Sequence, residues 1–338
     1  MTSRSEGNKE QHGSIWPDWY PALAQFRRSE NGRAVWQIIN SLLPYFFLWY
    51  LMIRTIQLGY PYGVTLVLIL PASALLVRIF ILFHDCVHNS FFASKRANTF
   101  FGYLFGVLVF TPFEGWRFSH LRHHVTYADL DTRGFGDIWT MTLQEYANSP
   151  KLKRLQYRLY RTPLILLGLG ALFNFLLSNR LPKRQMKRKE RMSILFTNLL
   201  ILLVFMLAGQ VIGWRTYLMI QLPVLWLAGM AGIWLFYVQH QFPGVYWARK
   251  TQWDHLRAAM EGSSYYRLPP VLRWFSGNIG YHHVHHLNPR IPNYQLKKCF
   301  ESVPELQARA PLTGIRSIGC IRVKIWDEEH GKMVGFPH

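Results

Sequence analysis

The sequence predicts an all-α integral membrane protein: four transmembrane helices in two hairpins, supplemented by interfacial or re-entrant helices and a cytoplasmic cap rich in histidine. Three observations predict it. Four apolar runs are long enough to cross a bilayer. Basic residues crowd the segments that flank them on one side. Nine of the fourteen histidines lie on four segments that the resulting topology gathers at one membrane face.

The runs occupy about 35–53, 63–83, 194–213 and 216–239. Each holds about 20 residues, which at about 1.5 Å per residue matches a hydrocarbon core of about 30 Å. Two further runs, "FFGYLFGVLVFTPF" (100–113) and "LILLGLGALFNFLL" (164–177), reach only about 21 Å as helices, too short to span.

Charge sets the orientation. Arg27, Arg28 and Arg33 precede the first run. Lys151, Lys153, Arg154, Arg158 and Arg161 precede the second short run, and "RLPKRQMKRKER" (180–191) follows it with seven basic residues and one acid. The two loops assigned to the far side carry one arginine each, Arg54 and Arg215. Basic loops stay in the cytoplasm, so both termini, residues 84–193 and everything after 239 are expected there. A crossing at 164–177 would export the most basic loop, so both short runs are read as interfacial or re-entrant. Three units follow: an N-terminal cytoplasmic segment (1–34), a membrane domain (35–298) and a C-terminal cytoplasmic segment (299–338).

Bulk composition agrees with this reading. Half of the 338 residues are apolar and 16% aromatic, yet the net charge is +20, a pairing that membrane spans with basic loops produce naturally. Nucleic-acid binding fits poorly, because the basic residues flank apolar runs and form no basic domain. Cys86, Cys299 and Cys320 stand far apart, which predicts free thiols on a reducing side. Trp and Tyr clusters fit an interfacial belt. Arg78, inside the second run, is expected to snorkel or pair locally. His12, His255, His330 and His338 read as ordinary exposed residues.

The histidines carry the chemistry. His84 and His88 in "HDCVH" are i, i+4, on one helix face. His120, His123 and His124 in "HLRHH" are i, i+3, i+4, and His282, His285 and His286 in "HHVHH" repeat that spacing. His283 falls off the shared face by about 100°. His240 closes "FYVQHQ" at the end of the fourth run. Chance gives an HxxHH about 0.02 times in a chain of this length and composition; here there are two. Imidazole suits zinc, copper, iron and nickel. Nine histidines exceed what one ion takes and suit two metals with open positions. Zinc has no redox chemistry, so two zincs would leave only hydrolysis or structure.

The three histidine boxes, with the flanking "HDCVHNSFF", "LDTRGFGDIWTMTLQEY", "FYVQHQFPGVYW" and "GSSYYRLPPVLRWFSGNIGYHHVHHLNPRIPNY", resemble the membrane fatty acid desaturases, the bacterial acyl-lipid enzymes in particular. The similarity runs from about residue 35 to the C-terminus. The HxxxH first box is similar to that of acyl-lipid rather than acyl-CoA desaturases; Val87 stands where the family often has glycine. The resemblance implies that His84, His88, His120, His123, His124, His282, His285 and His286 ligate two irons, with His240 matching the additional histidine before the third box. It further implies dioxygen as oxidant, a cis double bond as product, glycerolipid acyl chains as substrate, and a bacterial inner membrane as location.

Around the boxes, Asp85, Asp129, Asp131 and Asp137 are candidates to accept hydrogen bonds from ligand imidazoles. Asn278, one turn before His282, is a candidate for a metal-bound water. Solvated loop residues are the plain alternative for the four aspartates. The chain has no dinucleotide fingerprint, no CxxCH and no iron–sulfur cysteines, so electrons are expected from a separate protein, a ferredoxin ahead of a cytochrome b5. The basic face suits an acidic carrier, although the same charge also fixes topology and attracts anionic lipid. Two alternatives stay open: a di-iron hydroxylase or ketolase acting on lipids or carotenoids, and, more distantly, a metal transporter, whose ligands would lie near the bilayer midplane rather than at span ends.

Overall fold

The computed structural model describes residues 16–134 and 136–337; His12 and His338 lie outside them. Helix α1 (Asn31–Gln57) and helix α2 (Tyr62–Val87) form the first hairpin. Outward-facing α1 side chains are large and apolar, among them Trp36, Leu43 and Phe47, whereas α2 is apolar all round and is the most enclosed of the long helices. Pro44 and Pro71 sit inside these helices without ending them, as neighbouring helices allow in a membrane. The second apolar run stops at residue 83, yet α2 continues through His84 and Asp85. These polar residues stay helical because the cap encloses them.

Helix α3 (Lys95–Leu108) starts under a Ser94 cap, and helix α4 (Phe113–Thr126) reverses it. The reversal is tight: a Cβ at Gly106 would stand 2.6 Å from the Thr111 carbonyl oxygen, so only glycine fits. The short run 100–113 is therefore two helix ends joined by a turn. Helix α5 (Leu143–Ala147) is fixed by a Thr142–Glu145 capping box and leads into α6 (Lys151–Tyr160).

Beyond α6 the chain bends by 69°. Leu164–Leu169 and Phe173–Leu177 are wound in wide π turns on either side of α7 (Gly170–Leu172). Helix α8 (Arg188–Ile212) and helix α9 (Trp214–His240) complete the trunk as a second hairpin, turning at Gly213 with φ 82°. Gly229 of α9 lets the bent segment approach closely: a Cβ there would be 3.1 Å from Ala171 Cβ. The segment leaves from Arg161, whose guanidinium binds Gln241 at 2.8 Å just past α9. It returns to α8, whose first turn pairs Lys189 with Glu114 of α4 at 2.7 Å. Both ends thus lie at the histidine end of the trunk. Four helices are long and apolar enough to span a membrane, α1, α2, α8 and α9, each extending a few residues beyond its apolar run.

The cap comprises α10 (His255–Gly262), β1 (Tyr266–Arg267), α11 (Pro270–Phe275), α12 (His282–Leu287), α13 (Asn293–Ser302), β2 (Leu312–Thr313), α14 (Gly314–Ile318) and a hairpin of β3 (Ile325–Asp327) with β4 (Lys332–Val334). Strands β1 and β2 pair in parallel, and Trp326 stands opposite Met333 in the hairpin. Residue 34 lies within α1 and residue 298 within α13. Leu23 and Phe26 on one flank and Cys299 and Leu306 on the other join a single apolar cluster with Val284 and Leu287. The apolar content of both flanking segments is what draws them into the cap. All three cysteines are free and buried. His330 is exposed, but His255 is half-buried between the rings of Trp16 and Trp253.

Candidate metal centre

Four elements deliver nine histidines to one place. The C-terminal end of α2 brings His84 and His88. Helix α4 brings His120, His123 and His124, α9 ends on His240, and α12 brings His282, His285 and His286. All nine are at most 9% exposed. One nitrogen from each of His84, His88, His120, His124 and His285 lies within 4.8 Å of the others, and the same holds for His123, His240 and His286. His282 joins the second group, its Nε2 2.9 Å from that of His240 and 3.1 Å from that of His286.

Within the groups the Nε2 atoms form two runs. His88, His120, His124 and His285 follow one another at 2.9, 3.2 and 3.0 Å. His123, His240, His282 and His286 do so at 3.2, 2.9 and 3.1 Å. Hydrogen bonding alone accounts poorly for these runs. A neutral imidazole nitrogen offers one in-plane site, a hydrogen or a lone pair, yet His120, His124, His240 and His282 each face two partners. A shared cation needs only one lone pair from each ring. With metal–imidazole bonds of about 2.1 Å, two nitrogens at right angles around one ion stand about 3.0 Å apart. The donor set therefore fits two metal ions.

Protonation agrees. Burial, and then the neighbouring imidazoles, hold His88, His120, His124, His282, His285 and His286 well below the usual histidine value. The rings are neutral near pH 7, the form that binds a metal.

The outer nitrogens meet an uneven set of partners. His123 Nδ1 lies 2.5 Å from Asp137, whose other oxygen accepts the Gly134 amide at 3.1 Å. His84 Nδ1 lies 3.3 Å from Asp85. Asp85 in turn accepts both the backbone and side-chain N–H of Asn293, at 2.6 and 2.8 Å, and Asn293 is paired with Gln37 at 2.8 and 3.0 Å. Asp129 and Asp131 turn elsewhere. Asp129 accepts the Asp131 amide at 2.9 Å and faces Lys250, while Asp131 is held by Arg249 at 2.7 Å; the adjacent basic pair draws both away from the imidazoles. Asn278, in the left-handed region at φ 58°, donates to the Asn293 carbonyl at 3.0 Å rather than to a histidine. His283 points away from the groups: its Nε2 lies 3.0 Å from the Leu306 carbonyl oxygen, and burial pushes its pKa down to about 4.

Aromatic rings wall the centre. Trp116 stacks on His120 at 4.1 Å, and Tyr127 lies 4.2 Å from His240. The sequence reading missed Trp116, although its place one helical turn before His120 was a signal that could have found it. Gln37 and Asn293 left no such signal, since nothing local links positions 256 apart.

The sequence model of the family described as fatty acid desaturase matches residues 58–315, a region that contains all nine histidines. The chain belongs to the fatty acid desaturase family. It is 41% identical over 314 residues to a fatty acid desaturase of Bacillus subtilis (strain 168), covering 93% of this chain and 89% of that protein. It is 25% identical to the sn-1 oleoyl-lipid 12-desaturase of Synechocystis sp., over 68% of this chain and 65% of that one. It is 28% identical to the sn-1 acyl-lipid omega-3 desaturase (ferredoxin) of Nostoc sp., over 67% and 63%. With its four spanning-length helices, this desaturase is a membrane enzyme.

Proposed function

We propose that this desaturase holds two iron ions and introduces a cis double bond into the acyl chain of a membrane lipid, with dioxygen as oxidant. The observation that carries the reading is the pair of adjoining runs of buried Nε2 atoms, in which His120, His124, His240 and His282 each face two partners where one in-plane hydrogen or lone pair serves only one, and whose spacing suits ligands of shared ions. His84, His88, His120, His124 and His285 would hold one ion, and His123, His240, His282 and His286 the other. When bound, iron supplies the redox capacity to use dioxygen against an unactivated methylene pair, which zinc lacks.

The chain's own residues act around that chemistry. Asp137 and Asp85 accept from Nδ1 and so leave Nε2 of His123 and His84 as lone-pair donors turned inward. Asn293 and Gln37 hold the Asp85 carboxylate in place. Trp116 and Tyr127 cover ring faces and keep water from the centre.

The electron count requires a partner. Removing two hydrogens from a –CH2–CH2– pair yields two electrons, and reducing dioxygen to two waters takes four. Two electrons and two protons must come from outside. The name of the Nostoc relative includes ferredoxin, and the exposed basic stretch around Lys183, Arg184, Lys187 and Arg188 suits an acidic carrier of that kind. Charge flanking the spans supports cytoplasmic termini and a bacterial inner membrane. The relatives' names support acyl chains of intact lipids as substrate.

Expression in a host that lacks such an enzyme, followed by mass spectrometry of its lipids, tests the reading. Acyl chains lighter by two hydrogens, dependent on the histidines, are expected. Chains heavier by one oxygen would instead assign a hydroxylase.

A further inference from the structure

A cleft of about 460 Å³ lies between α1, α2, α11 and α13. Four cations line it, Arg33, Arg78, Arg273 and Lys297, and no carboxylate does. Arg33 and Lys297 each have an acid within their own helical turn, Glu30 at 2.9 Å and Glu301 at 3.4 Å. Among the described residues Arg78 and Arg273 form no ion pair. Arg78 is 3% exposed within a spanning helix. Its guanidinium rests on the Trp274 ring at 4.0 Å, donates to Ser41 Oγ at 3.0 Å and reaches the Trp274 carbonyl. Every one of these partners is uncharged, and a buried cation without a counter-charge is costly in low dielectric.

The cleft also has a definite level. Arg78 precedes His84 by six residues of α2, about 9 Å, so the cleft lies beside the histidine end of the trunk. Trp36 and Trp274, which also line it, are 63% and 39% exposed on the outer surface, as aromatic residues are at the level of lipid headgroups.

We infer that this cleft seats the phosphate of an anionic glycerophospholipid. Guanidinium groups bind phosphate oxygens in pairs. A volume in the range of small-molecule sites exceeds what a bare phosphate fills, and the exposed Trp36 and Trp274 on its lining suit the level of lipid headgroups. The inference needs only that the chain spans a membrane, and it stands apart from the assignment of the metals. The seat is nevertheless wired to them: Gln37 lines the cleft and leads through Asn293 and Asp85 to His84. Gln37, on the cleft wall, is three hydrogen-bonded contacts from a proposed ligand.

Native mass spectrometry of the full chain, released from nanodiscs of phosphatidylglycerol or of an uncharged galactolipid with the same chains, tests this. One phosphatidylglycerol per chain should persist, and galactolipid should not. Arg273→Gln should lower phosphatidylglycerol affinity about tenfold or more, the effect of losing one charge-assisted pair, while Arg273→Lys and Lys297→Gln retain part of it. Metal content, read in parallel, shows whether each variant is folded. Equal retention of both lipids, or equal phosphatidylglycerol affinity in wild type and a folded Arg273→Gln, would overturn the seat. If inorganic phosphate alone displaces the bound lipid and raises the melting temperature as much as phosphatidylglycerol does, the site takes free anion and the lipid assignment fails. Loss of desaturation with lipid still bound would count against the proposed function and leave the seat intact.

Discussion

His123 Nδ1 stands 2.5 Å from Asp137 Oδ1, fourteen residues along the chain, and both side chains are at most 5% exposed. In the proposed centre Asp137 would accept from Nδ1–H of His123, fix its tautomer and orientation, and so present Nε2 to the second group of histidines. Asp137→Asn retains the shape but offers no full charge. Loss of such a partner costs about 10–100-fold in metal affinity or activity. Competition with a graded chelator should show one of the two metals released at lower chelator concentration, and an unchanged release curve would remove Asp137 from the centre.

His283 separates a ligand reading from a general requirement for histidine. Its Nε2 meets the Leu306 carbonyl, while its three companions turn Nε2 to other histidines of the two groups. His283→Ala should lower stability by about 1–3 kcal/mol, the cost of a buried group left unpaired, and keep its metal content. His282→Ala, His285→Ala or His286→Ala should each lower metal content and abolish activity. Equal metal loss in all four variants would contradict the geometry.

The bent segment 164–180 should not cross the membrane. Its two ends lie at the histidine end of the trunk, so 180–191 is expected on the same side as the histidines. Single cysteines at Ser178 or Gln185, labelled from either side of sealed vesicles, decide the matter. The three native cysteines are buried and should contribute little background. Labelling from the outer side alone would require a fifth crossing.

Carrier docking should be electrostatic. Lys183, Arg184, Lys187 and Arg188 are exposed, and exposed pairs are screened beyond about 8 Å at physiological ionic strength. Neutralising the four together should raise the carrier concentration needed for half-maximal rate, most at low salt, with metal content unchanged. An unaltered carrier dependence would leave this stretch the role of fixing topology.

The spans and the histidine spacing were legible because each depends on local periodicity. Twenty apolar residues declare a span, and i, i+3, i+4 declares a helix face whatever packs around it. His283 could be set apart by that rule alone. The partners of the histidines were half legible. Asp85 and Asp137 met imidazoles, but Asp129 and Asp131 looked the same in sequence and were drawn to Arg249 and Lys250 by a contact over a hundred residues away. Gln37 and Asn293 left no local trace. Span ends did not reveal that Leu23, Phe26 and Cys299 share one apolar cluster, because their burial depends on tertiary contacts. Arg78 was expected to snorkel or pair locally, and it pairs; the identity of its partner Trp274, on a helix nearly two hundred residues later, left no local trace.

The central claim is that nine buried histidines hold two irons. Elemental analysis of purified protein with measured desaturase activity tests it most directly. The account predicts two irons per chain, with activity proportional to iron. One metal per chain, or zinc in place of iron in active enzyme, would contradict it.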